Sequence, residues 1–63
     1  MALVLINNPF YEGMNVTVEL DGVQYTRKVY NDKLAGLYIT IKGRKYFEYE
    51  VDYSYWYKKR GMV

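Results

Sequence analysis

Between positions 45 and 57, Phe47, Tyr49, Val51, Tyr53, Tyr55 and Tyr57 occupy the odd positions, while Tyr46, Glu48, Glu50, Asp52 and Ser54 hold even ones. A period of two marks a half-buried strand. The alternation fails at Trp56, just before Lys58, Lys59 and Arg60, so an amphipathic strand is expected to run into an aromatic, basic end. Upstream, 14–20 and 23–31 alternate in the same way around Asp21-Gly22, a dipeptide suited to a type I′ turn because both central residues need positive φ. A two-residue loop there pairs Leu20 with Val23, Val18 with Tyr25, Val16 with Arg27 and Met14 with Val29. On the other face it pairs Glu19 with Gln24, Thr17 with Thr26 and Asn15 with Lys28. Register and hydrophobic pattern agree. Arg27 alone points to the apolar side, which places it at the sheet margin with its guanidinium reaching outward or makes it a binding residue at the rim.

In 37–42, Leu37, Ile39 and Ile41 face one way and Tyr38, Thr40 and Lys42 the other. A two-residue loop at the next turn would set that apolar face beside Glu48 and Glu50. A three-residue loop instead pairs Ile41 with Lys45, Ile39 with Phe47 and Leu37 with Tyr49, and predicts an odd loop or bulge at Gly43. Leu3, Val4, Leu5 and Ile6 form an unbroken apolar run, as a strand covered on both faces requires. Asn7-Asn8-Pro9 starts a turn, and Phe10 and Tyr11 follow in a loop, either as a lid over the core or as an exposed contact pair. Strands are thus expected near 2–7, 14–20, 23–31, 37–42 and 45–51. Residues 53–58 either extend the last strand past a bend or form a short further segment, strand or helix. The predicted fold is all-β: a single small domain, 1–63, with a five- or six-stranded antiparallel sheet curled into a partly open barrel of Src-homology-3-like or oligonucleotide-binding-like form.

With 63 residues, 19% aromatic and 51% hydrophobic, and neither Cys nor His, the chain must build its core from ring and β-branched packing. Disulfides, thiolate or imidazole chemistry and the usual zinc ligand sets are excluded. A domain of this size holds only about 3–5 kcal/mol of stability. The apolar start lacks a basic leader and a cleavage pattern, and no run approaches the ~20 apolar residues of a membrane span, so a cytoplasmic protein is expected. Asn15-Val16-Thr17 matches a glycosylation acceptor but falls inside a strand.

Candidate chemistry is sparse. Glu48, Glu50 and Asp52 would share one strand face, roughly 6.5–7 Å apart. Such a trio can bind a hard cation or act as acid and base, but reads first as a solvated face. No phosphate-binding glycine loop occurs, and no enzyme activity, metal or cofactor is expected. Charge is segregated instead: 27–45 hold six cations against Asp32, and Lys58, Lys59 and Arg60 close the chain, for a net charge of +2. Arg44, Lys45, Trp56, Tyr57, Lys58, Lys59 and Arg60 are the expected contact surface, with Phe10 and Tyr11 as secondary candidates, because aromatic and Arg-rich patches supply interface hot spots.

The run VYNDKLAGLYITIKGRKYFEYEV, from Val29 to Val51, resembles the Tyr- and Lys-rich hairpins of small proteins encoded by phages and prophages of Gram-positive bacteria. That group includes anti-CRISPR proteins and other inhibitors of host or defence machinery. The resemblance implies a protein that occludes another's functional surface; it assigns no residues, since the group shares no motif. Inhibitors that imitate DNA are usually strongly acidic, and this chain is slightly basic. The expected function is therefore a non-catalytic, phage-type inhibitor docking on a nucleic-acid-processing host or defence protein, as a monomer or small homo-oligomer. The alternative is a single-stranded DNA- or RNA-binding module using the same residues. A third reading is a structural subunit pairing through its β edges.

Overall fold

The computed structural model describes residues 3–59 and Gly61. Among these residues seven strands are present: β1 Leu3–Asn7, β2 Asn15–Leu20, β3 Val23–Lys28, β4 Tyr30–Asp32, β5 Gly36–Ile41, β6 Arg44–Phe47 and β7 Val51–Asp52. A 3-10 turn, Glu48–Glu50, separates β6 from β7, and one short helix, α1 Ser54–Lys59, follows. The all-β expectation holds in character, but the single curled sheet of five or six strands does not. The described residues form two sheets, one in the order β3-β2-β1-β7 and one in the order β4-β5-β6, and no closed barrel among them.

The two sheets are joined by a corner. Val29 stands between β3 and β4, so the expected strand at 23–31 leaves one sheet and enters the other, the usual way sheets turn over a core. The Val29 N–H donates to the Met14 carbonyl and the Gly13 N–H donates to the Val29 carbonyl, both at 2.9 Å. These bonds hold the corner in register while its side chain is buried. Leu3 and Leu5 of β1, Val16 and Val18 of β2, Ile39 and Ile41 of β5, Tyr46 of β6, Val29 and Phe10 form one buried cluster. Both sheets turn an apolar face to it.

The β2–β3 hairpin has the expected register, from Leu20 opposite Val23 to Asn15 opposite Lys28. Asp21 and Gly22 both adopt positive φ, 54° and 79°. The Thr17 and Thr26 hydroxyls meet at 3.0 Å on the polar side. Arg27 stays at the margin, its guanidinium donating to the Thr26 carbonyl at 3.0 Å and lying 5.2 Å from the Tyr25 ring centre.

The β5–β6 register differs from expectation. Ile41 faces Arg44, Ile39 faces Tyr46 and Tyr38 faces Phe47, so the loop is the two-residue Lys42-Gly43, with φ of 51° and 79°. Glu48 never comes to lie across from Leu37, because the strand ends at Phe47. The Glu50 carboxylate accepts the Phe47 N–H at 3.0 Å and the Arg44 guanidinium at 3.1 Å, turning the chain out of the ladder into the 3-10 turn. Tyr46, not Phe47, therefore points inward, and the long strand expected beyond 47 does not exist.

Lys42 is a residue type that avoids the left-handed region, where Asn is favoured. Lys42→Asn is expected to stabilise the fold by about 0.5 kcal/mol, a rise of roughly 2–4 °C in Tm for a domain of this size. A thermal scan giving an equal or lower Tm would show that this turn carries no such strain.

After β7, which pairs in parallel with β1, the Asp52 carboxylate accepts the Ser54 N–H at 2.8 Å and starts α1. This Asx-type turn closes off the strand alternative for 53–58. The helix packs on β1, and Trp56 rests against the core with Tyr53.

Candidate functional site

The outward face of the β4-β5-β6 sheet carries a row of rings. Pairing sets Tyr30 opposite Tyr38 and Tyr38 opposite Phe47, with ring centres 5.9 and 5.4 Å apart. Tyr49, the middle residue of the 3-10 turn, extends the row by stacking on Phe47 at 5.8 Å with the planes 7° apart. Two lysines border it: the Lys45 ammonium lies 4.9 Å from the Tyr38 ring centre and the Lys28 ammonium 5.9 Å from that of Tyr30. The outer face of an antiparallel sheet is ordinarily polar; this one is aromatic and cationic. No pocket opens among the described residues.

Acids near the row are committed to local bonds. The Asp32 carboxylate accepts the Leu34 and Ala35 N–H groups at 2.9 and 3.2 Å. These bonds, the Leu34 one foremost, hold its pKa below the usual carboxylate range, and the Lys45 charge adds to them. Glu50 is bound by Arg44, whose guanidinium also lies 4.4 Å from the Tyr46 ring centre. Glu48 accepts the Tyr53 hydroxyl at 3.0 Å. The trio read as a shared acidic face is thus dispersed over a 3-10 turn and a short strand, each member bound separately. Among the described residues no cluster of three or more metal-ligating side chains occurs.

The expected contact residues are divided between the two sheets. Lys45 borders the row, while Arg44 is tied to Glu50 and Tyr46 on the core side of β6. Trp56, Tyr57, Lys58 and Lys59 lie on α1, against β1 of the other sheet. There Trp56 is partly buried on the core, Tyr57 packs against Tyr53 at 5.9 Å, and Lys58 and Lys59 occupy the last helical turn, where cations complement the helix dipole. Arg60 lies outside the described residues. The loop pair splits: Phe10 is 3% exposed within the core and Tyr11 is 61% exposed. Sequence reading missed Tyr30, Tyr38, Phe47, Tyr49 and Lys28; the available signal was the odd–even parity of 38 and 47 under a two-residue loop.

No protein-family model, curated protein or solved structure matches this chain. The candidate site therefore stands on its geometry. No helix among the described residues is long and apolar enough to cross a membrane.

Tyr53 ties the helix start to the 3-10 turn. Burial, then the hydrogen bond to Glu48 and its charge, push its phenol from 10.0 up to about 12, against a weaker pull from the Phe10 backbone. The folded state thus favours the neutral phenol: this stabilisation is complete below pH 10 and is lost as pH rises from about 10 to about 12. Tyr53→Phe is expected to cost about 1 kcal/mol at pH 8, the gap to wild type closing across that alkaline window. Urea titrations of both proteins at several pH values check this; a gap that stays constant would show that Tyr53 does not titrate differently in the fold.

Proposed function

We propose that the chain is a non-catalytic binding module whose working surface is the outward face of the β4-β5-β6 sheet. It acts as a phage-type inhibitor of host nucleic-acid processing, by occupying a surface or strand that the machinery needs. The observation that carries this is Tyr49. Cross-strand ring pairs stabilise a sheet by about 0.2–1 kcal/mol each, which accounts for Tyr38 and Phe47 structurally. Tyr49 belongs to no strand and is 77% exposed, yet it continues the row. The fold gains little from holding an aromatic ring there, and exposed contiguous aromatic surface marks interaction sites. Lys28 and Lys45 give that surface the cationic border that suits acidic or phosphate-bearing targets.

The test is capture from a bacterial lysate, comparing wild type with Tyr38→Thr/Phe47→Thr, a change that keeps β propensity and removes two rings. A component retained by the wild type and lost from the variant is expected. Equal capture by both would overturn the assignment of this face.

A further inference from the structure

We propose that what this face takes is a single strand of nucleic acid, its bases laid on Tyr30, Tyr38, Phe47 and Tyr49 and its phosphates held by Lys28 and Lys45. This rests on the reading of the sheet face as the working surface and names its ligand. Three observations point to it. The first is shape: the face offers a continuous row of ring surfaces, Tyr30, Tyr38, Phe47 and Tyr49, with centres 5.4–5.9 Å apart. A flat base needs only a flat ring.

The second is spacing. Successive ring centres lie 5.9, 5.4 and 5.8 Å apart, well beyond the ~3.4 Å repeat of one strand in duplex DNA. A strand following the row must have its bases drawn apart, which a single strand does freely and a duplex does not. Aromatic platforms of this kind accept any base, since every base has a π face.

The third is charge. Lys28 and Lys45 rest over ring faces, from which a flexible four-carbon stem can swing to a phosphate. The carboxylates around them are occupied: Asp32 by two backbone N–H groups, Glu48 by the Tyr53 hydroxyl, and Glu50 by Arg44 and the Phe47 N–H. Asp32 and Glu48 keep their negative charge, Asp32 near enough to Lys45 to interact with it, but their acceptor oxygens are turned to partners within the protein, and the two ammonium groups over the rings are what the face offers a phosphate.

Fluorescence anisotropy of labelled oligothymidylate and oligouridylate, titrated with the intact protein at low and near-physiological salt, tests the proposal. Expected are binding that weakens with salt, a loss of at least about tenfold in Tyr38→Thr/Phe47→Thr, and no change in Tyr55→Ala on the helix. Lys28→Gln/Lys45→Gln, which leaves the rings intact, is expected to flatten the slope of log affinity against log salt by about 1.4, two phosphate contacts at ~0.7 each. No binding by roughly 100 μM, beyond typical non-specific affinity, overturns the proposal, as does binding indifferent to both variants. If oligonucleotide binding is absent but nuclease-resistant lysate capture is still lost in Tyr38→Thr/Phe47→Thr, the face docks on protein. The assignment of the face then survives and its nucleic-acid ligand does not. If capture also persists in the variant, both fail.

Discussion

Phe10→Ala is expected to leave most of the chain unfolded at room temperature, while its neighbour Tyr11→Ala shifts stability by no more than about 0.5 kcal/mol. Removing a buried Phe costs about 3–5 kcal/mol through lost transfer energy and the cavity left behind. A domain of this length has only about 3–5 kcal/mol in total. Phe10 comes from a loop, so no ladder holds its backbone; its ring closes the cluster formed by Leu3, Leu5, Val16, Val18, Ile39 and Ile41. Urea titration followed by Trp56 fluorescence separates the two variants. A Phe10→Ala transition within about 1 kcal/mol of wild type would mean that the core closes without its lid.

Tyr46→Ala and Phe47→Ala form the second contrast. Tyr46 points into the core opposite Ile39 and carries Arg44 over its ring. Its loss is expected to cost about 3 kcal/mol or more, with roughly 0.5–1 of that from the cation–π contact. Phe47 lies on the outer face, and its truncation removes only ring pairs, about 1–1.5 kcal/mol. Phe47→Ala should therefore remain folded and lose binding, whereas Tyr46→Ala should lose its fold. The reverse order of stabilities would signal a three-residue loop, with Phe47 inside.

That contrast also locates the boundary of what the sequence reveals. The β2–β3 hairpin was legible because Asp21-Gly22 is a favoured pair for its turn and the flanking pattern admits one register. The β5–β6 turn has nearly the same φ angles, but it is written with Lys42, whose side chain gives no sign that its backbone is left-handed. The loop that spares Glu48 turns Phe47 inward, and with it hides the ring row. The stretch from 45 to 57 misled for a related reason. Its period of two was real as far as Phe47, but local hydrogen bonds accepted by the Glu50 and Asp52 carboxylates outweighed it. Tyr53, Trp56 and Tyr57 also fit the spacing of one helix face, and Asp52 with Ser54 marked its start. In the basic end, the helix lays Trp56 partly buried against the core, the core-anchor role that its place beside the alternating strand also allowed. Only packing against β1 decides that, and packing is not local.

The parallel pairing of β1 with β7 has a consequence for how the chain comes together. Leu3 pairs with Val51 and Val4 with Asp52, nearly the full length of the described chain apart. Closure over such a separation is slow compared with hairpin formation. The hairpin of β2 and β3 can form early, but β1 keeps an open edge until β7 pairs with it. An apolar edge of that kind invites pairing with other chains, so a partly folded molecule is most vulnerable to aggregation before β7 docks on β1.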